Sequence, residues 1–382
     1  MKFLPLIWRS LLRRKVRTTF TALSIFVAFV LFAVLMAIRV AFTVGVEVAG
    51  VDRLLMFHKV SIIQFLPISY LDRLKRIDGV ADATFATWFG AIYREPKNFF
   101  PQYAVEPEAY LRMYPEFVVP DAQKKAWFED RMGAVVGRAT ATRFGWKVGD
   151  RVPLQGTIFR PRNATVWTFT IRGIYDGARP GDDTTQFLLN NKYLEEGRTF
   201  AFNMVGWYFI RVTDPARSAE IAKRIDAEFA NSEYETKTST EKAFVQSFAN
   251  QIGDIGSIMI AIASAVFFTI VLVAANTMAQ SIRERVSELA VLKTLGYTNG
   301  LVMSLVLAES MLLAVVAGGL GLGVGWLLTL HDPTNGILPA FFLPDRDLAA
   351  GVLLTLALGL AAGLVPATRA VRLRIVDALR RN

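Results

Sequence analysis

The chain has 382 residues, 53% of them hydrophobic, with a formal net charge of +10. The absence of cysteine excludes disulfides, thiolate metal sites and cysteine nucleophiles. Two histidines, His58 and His331, are too few for a histidine-built zinc site.

The apolar residues are concentrated in blocks. Residues 1–17 form a basic segment with Lys2, Arg9, Arg13, Arg14, Lys15 and Arg17. From Thr18 to Ile38 there are 21 consecutive uncharged residues, enough to cross a hydrocarbon core of about 30 Å. This run predicts a first span with a stalk over 18–46. It is longer than the apolar region of a signal peptide, and no small-x-small cleavage site follows it, so it is expected to stay as an anchor.

Residues 47–241 have ordinary globular composition and predict an α+β domain, expected in two lobes. Apolar spacing at Leu71, Leu74 and Ile77 predicts a short helix within 68–77, ended by Asp78-Gly79. A helical run over 138–144 precedes the turn at Gly145 to Asp150. Strands are predicted over 151–155, 166–171 and 209–212, and a helix over 216–230. Asp182-Asp183 is expected to be a solvated pair. No catalytic constellation is present, so the chain is not expected to be an enzyme itself.

From 242 the spacing predicts one helix of about 40 residues to 283, forming a second stalk and span over 242–282, with Gly253 and Gly256 as weak points. Residues 283–300 form a short charged segment. Further spans are predicted over 301–330 and 348–368, separated by a short loop at 331–347, with a basic tail over 369–382. The three basic flanking segments together carry 14 positive and 3 negative charges, whereas 47–254 carries 27 and 26. An even number of spans puts all three basic segments on one side. The positive-inside rule makes that side the cytoplasm, with the 47–241 domain outside. The same distribution argues against a nucleic-acid groove.

Gly321 and Gly325, and again Gly359 and Gly363, make small-xxx-small pairs that allow close helix packing, within one chain or between copies. Glu309 is an acidic residue inside an apolar stretch. It is open either to a structural role or to a place on a proton path.

The segment Ser281-Ile282-Arg283-Glu284-Arg285-Val286-Ser287-Glu288-Leu289-Ala290-Val291-Leu292-Lys293-Thr294-Leu295-Gly296-Tyr297 is the most informative. Leu289, Leu292 and Leu295 are expected on one face of an amphipathic helix, with Arg283, Arg285, Glu288 and Lys293 available to a partner and Gly296 as a left-handed cap. The segment resembles the signature of MacB/FtsX-type (type VII) ABC permeases. The start at Trp8 to Thr18 is similar too, as are Val136-Gly137, Gly149-Asp150 and Ile171 to Ile174 in the domain, and Pro366 to Ala370 with Asp377 to Arg380 at the end. The resemblance covers nearly the whole chain in order.

It implies four transmembrane helices with a MacB-like periplasmic domain between the first two, in a bacterial inner membrane with both termini cytoplasmic. The coupling helix to an ABC ATPase would comprise Arg283, Glu284, Arg285, Glu288, Leu289, Leu292, Lys293, Leu295 and Gly296. A phosphate-binding loop needs Gly-Lys before Ser or Thr, and the chain contains no Gly-Lys dipeptide. ATP and magnesium would therefore sit on a separate ATPase chain, and no cofactor on this one. The resemblance also implies a dimer with a second copy or a paralogue, and mechanotransmission. Its purpose would be tripartite efflux with a periplasmic adaptor and outer-membrane channel, lipoprotein or lipid extraction, or activation of a cell-wall hydrolase. Apart from membrane lipid these partners are proteins, with no nucleic acid.

Overall fold

A computed structural model describes residues 15–371 apart from 49, 51, 180, 253 and 331–340. Most of the basic N-terminal segment, most of the 331–347 loop and most of the 369–382 tail lie outside the described residues. Among the described residues the chain divides into a helical unit over 15–40, 255–330 and 342–371 and a sheet unit over Ala41–Asp254 with Phe341.

Among the described residues four helices are long and apolar enough to cross a membrane. They are α1 (Lys15–Val48), α9 (Ile255–Glu284), α11 (Asn299–Leu330) and α12 (Asp345–Val371). Within the helical unit Ile25, Phe29, Ile270, Ala274, Leu313, Ala317, Leu358 and Ala362 form one packed core. Large side chains such as Phe268, Leu320 and Leu353 point outward. Lipid tails are as apolar as leucine, so such residues gain little from burial between helices. Close approach of backbones does the packing instead. A Cβ on Gly321 would lie 2.5 Å from the Phe26 carbonyl oxygen, and one on Gly325 would run into the Ala33 Cβ. On α12, a Cβ on Gly359 would meet the Met311 Cα at 2.9 Å, and one on Gly363 would meet the Ser310 hydroxyl even more closely. All four glycines thus lie at helix contacts within this chain.

The expected 40-residue helix is two helices. The first, α8, spans Glu241–Ile252, and Asp254 lies outside both it and α9. Gly253 itself lies outside the described residues, but glycine is the poorest helix former after proline, costing about 1 kcal/mol relative to alanine.

The sheet unit alternates short helices with strands. Its main sheet runs in the order β13 (Thr236–Thr240), β1 (Arg53–His58), β12 (Trp207–Val212), β3 (Val80–Trp88), β5 (Gln102–Val105), β10 (Phe187–Asn190), β7 (Gly133–Gly137), β9 (Trp167–Gly177), β8 (Arg151–Gly156), β4 (Ala91–Ile92), with β6 (Phe117–Val118) beside β9. A separate pair is β2 (Leu66–Pro67) with β11 (Met204–Val205). Pairing is antiparallel except at β5–β10 and β7–β9. The unit is therefore α/β in content, and one continuous sheet runs through what the sequence suggests as two lobes.

Three cores cover it. Beneath α2 (Tyr70–Leu74) and α7 (Ser218–Glu228) lie Leu54, Met56, Tyr208, Ile210 and Phe229. The other half of the sheet holds an aromatic core with Phe89, Phe100, Trp146, Trp167, Phe169 and Phe187. A third, against α3 (Pro107–Met113) and α4 (Asp121–Glu129), contains Tyr110, Met113, Trp127 and Tyr175. Helix α5 (Arg138–Phe144) ends at Gly145 with φ +69°, a left-handed cap that glycine adopts without strain. The remaining short helix is α6 (Asn191–Gly197).

Two local expectations differ. Strand β9 continues past Ile171 to Gly177, because parallel pairing with β7 carries it through Gly173. Asp182 is buried and Asp183 half-buried, and both are hydrogen-bonded within their loop rather than forming a solvated pair. Asp182 accepts from the Arg179 N–H at 2.7 Å, and Asp183 from the Thr185 N–H and hydroxyl at 2.8 and 2.6 Å. Short acidic side chains in a Pro/Gly-flanked loop satisfy nearby backbone donors in this way.

Candidate coupling site between two spans

After α9 closes at Glu284, a single residue, Arg285, separates it from α10 (Val286–Thr294). Arg283 and Glu284 therefore belong to the last turn of a span helix, and the short helix is narrower than 283–300. It ends in a Schellman motif. Gly296 has φ +94°, its N–H bonds to Lys293 O at 3.1 Å, and the Tyr297 N–H bonds to Leu292 O at 3.1 Å. A side chain at 296 would have to adopt a left-handed conformation that only glycine takes freely.

Leu289 is 4% exposed and, with Ala290, packs on Ile282, Val302, Val306, Ala367 and Ala370, with Leu292 and Tyr297 half-buried beside them. Leu295 does not share that face, being 70% exposed. Residues three apart drift by about 60° per step on a helix of 3.6 residues per turn, so Leu295 lies about 120° from Leu289. Its exposed neighbour is Val291, one turn earlier and 47% exposed.

The charges are also engaged more than the sequence suggests. Arg285 Nη1 donates to Glu309 Oε2 at 2.8 Å, and its Nε donates to Glu288 Oε2 at 3.3 Å. Lys293 Nζ donates to the Val371 carbonyl at 2.7 Å, at the end of α12. Glu284 pairs with Arg17 at 3.0 Å. Glu309 is thus a buried partner for Arg285, and the short helix is pinned to α11 through Arg285 at its N-terminal cap and to α12 through Lys293 in its last turn. Of the residues expected to meet a partner, Arg283, Glu284, Leu295 and Gly296 are exposed. The Arg285–Glu309 pairing has no sequence signal, since the two stand 24 residues apart without a shared pattern. Among the described residues no group of three or more His, Asp or Glu side chains converges to hold a metal ion.

Comparison with known proteins bears on this region first. Residues 260–375 match the family of the FtsX-like permease C-terminal domain. An uncharacterized ABC transporter permease of Methanocaldococcus jannaschii is 24% identical over 326 residues, covering 80% of this chain and 77% of that one. An uncharacterized ABC transporter permease of Bacillus subtilis, YknZ, is 28% identical over 158 residues, and the match spans 40% of each chain. Among solved structures, the extracellular domain of the ABC-type transporter YknZ from Gram-positive bacteria has a TM-score of 0.37 at 11% identity, covering 49% of this chain and 100% of that one. The periplasmic region of MacB from Actinobacillus actinomycetemcomitans also has a TM-score of 0.37 at 11% identity, covering 53% of this chain and 94% of that one. Three of the four candidate spans and the short helix between two of them thus lie in the stretch that matches the FtsX-like permease C-terminal family, and the chain is similar to proteins named as ABC transporter permeases.

Proposed function

We propose that this chain is the membrane subunit of an ABC system in which a separate ATPase docks on α10. ATP hydrolysis there drives movement of the sheet unit outside the cytoplasm, in the service of efflux from the periplasm. The observation that carries this reading is the construction of α10. It is a short helix bonded to α11 through Arg285–Glu309 and to α12 through Lys293–Val371, with Val291 and Leu295 left uncovered. A push on such a helix moves the spans with it, because its own attachments are charge-assisted hydrogen bonds rather than loose loops.

In this reading the ATPase supplies the ATP and magnesium site, a second permease completes the dimer, and an adaptor with an outer-membrane channel receives the substrate. Both termini lie in the cytoplasm of a cell with an inner membrane. The balanced charge of the sheet unit and the basic segments flanking the spans support this orientation.

The test is affinity purification of the tagged chain from native membranes. Val291→Asp with Leu295→Asp alters only exposed side chains. The double variant is expected to reach the membrane in normal amount and to lose the co-purifying ATPase. Undiminished ATPase in that variant would overturn the assignment of α10. An adaptor in the wild-type eluate supports efflux, and lipoproteins without an adaptor replace efflux by extraction.

A further inference from the structure

Strand alternation in the sheet unit sets five side chains on one face of β1, β12, β3 and β5. Leu55 stands opposite Phe209, and Trp88 opposite Tyr103. Trp207 lies two residues before Phe209 and hence on the same side. The reverse face of β1, β12 and β3 is sealed by α2 and α7. This face is only partly covered: Tyr103, Trp207 and Phe209 are half-buried against the α3 core. It borders a cleft of about 700 Å³, walled further by Tyr110 of α3, Tyr114 just past its end, Phe244 of α8 and Ile158. That volume falls within the range of about 300–1,000 Å³ used for small-molecule sites. Protein interiors otherwise leave few voids larger than a water molecule.

The wall is a chain of rings. Trp88 meets Tyr103 edge to face at 5.4 Å, Tyr103 meets Trp207 at 5.9 Å, and Phe209 meets Tyr114 at 5.2 Å. Their faces carry the negative end of the ring quadrupole. The polar groups are few. The Tyr110 hydroxyl and the Gln186 side-chain oxygen lie 3.5 Å apart, a neutral contact point. Burial holds the Tyr110 and Tyr114 phenols well above their ordinary range, so both stay uncharged. Among the described residues the lining has no Lys or Arg, and its single carboxylate is Glu241. That carboxylate already accepts from Arg53 Nε at 2.6 Å, the Gly50 N–H at 3.1 Å and the Tyr114 hydroxyl at 2.8 Å. An anion entering the cleft meets ring faces and a carboxylate, and Arg53, the cation beside that carboxylate, is already held by Glu241 and Glu116. A neutral or cationic apolar molecule meets only complementary surface.

We propose that this cleft is a binding site for a lipophilic small molecule carrying no negative charge. The proposal stands apart from ATPase coupling, and its assay needs no ATPase. The full chain in lipid nanodiscs is irradiated with benzophenone, which is neutral, or with 4-benzoylbenzoate, which has the same photochemistry and one carboxylate. Adducts are mapped by peptide mass spectrometry. Saturable benzophenone adducts are expected on the peptides holding Trp88, Tyr103 and Trp207 to Phe209. The anionic probe is expected to label them about tenfold less, equivalent to about 1.4 kcal/mol. Trp207→Ala, which removes a wall, and Ile158→Glu, which adds a carboxylate at an exposed rim position, should each lower the benzophenone yield there. Labelling of the spans reports probe delivery in every sample. Adducts confined to the spans, equal cleft labelling by the two probes, or cleft labelling unchanged by Ile158→Glu with an unaltered circular dichroism spectrum would overturn the proposal.

Discussion

The helical unit makes its closest contacts where side chains are missing, at Gly321 against Phe26 and Gly325 against Ala33. The sheet unit makes its core where side chains are largest, with Trp167 edge to face on Phe89 at 5.6 Å and on Tyr193 at 5.2 Å. The difference follows from solvent. In water, a buried ring is stabilised in proportion to the apolar area removed, so bulk is rewarded. In lipid that reward is nearly absent, and dispersion contacts between closely apposed backbones take its place. One chain thus stabilises one unit by adding atoms and the other by leaving them out.

The contrast breaks if each unit tolerates the opposite change. The largest loss is expected for Trp167→Ala, which empties a fully buried site and leaves the Phe159 carbonyl without the 2.8 Å indole donor. A cost of about 3–5 kcal/mol is expected, read as a lowered Tm of the sheet unit by circular dichroism. A Tm within a degree of wild type would mean that this core collapses around the loss. Next is the Arg285–Glu309 pair. Arg285→Ala leaves a carboxylate buried without its 2.8 Å partner and is expected to cost about 3 kcal/mol. Arg285→Ala with Glu309→Gln should recover more than half of that in a double-mutant cycle. No recovery would show that Arg285 acts through other contacts. Smallest is Gly325→Val, expected to cost about 1–3 kcal/mol through overpacking against Ala33. Gly323→Val, where a Cβ meets nothing within 4 Å, should be silent. Equal tolerance of the two, measured as yield of monodisperse protein in detergent, would remove the close-packing argument.

Much of the fold was legible because its signals are local. Runs of uncharged residues announce spans, and the alternation at Trp167 to Ile171 announces a strand. Arg138 to Phe144 followed by Gly145 announces a capped helix. The candidate site was legible as a segment but not as a surface. Leu295 leaves the buried face because three-residue steps drift around a helix, which spacing alone does not reveal unless the angle is followed. Arg285, Glu288 and Lys293 look free in sequence because Glu309 and the Val371 carbonyl are brought to them by packing between distant segments. The aromatic cleft was wholly hidden. Its strand rings come from three strands, and only the register of β12, β3 and β5 gathers them.

One cluster in the sheet unit has a mechanical meaning. The chain begins the main sheet at β1 and leaves it at β13, and these two are antiparallel neighbours, with Leu54 opposite Thr240. Arg53, at that same end, grips Glu116 at 2.7 Å and Glu241 at 2.6 Å. Burial works against its charge, but Glu241, Tyr114 and Glu116 outweigh that and hold the guanidinium above its ordinary range. Tension that drew the two connecting segments apart would open the strands like a zipper, one rung at a time from the fork. The Arg53 clasp lies at the fork, ahead of the first rung, so it bears the load before any strand hydrogen bond does and sets the force at which the sheet begins to yield.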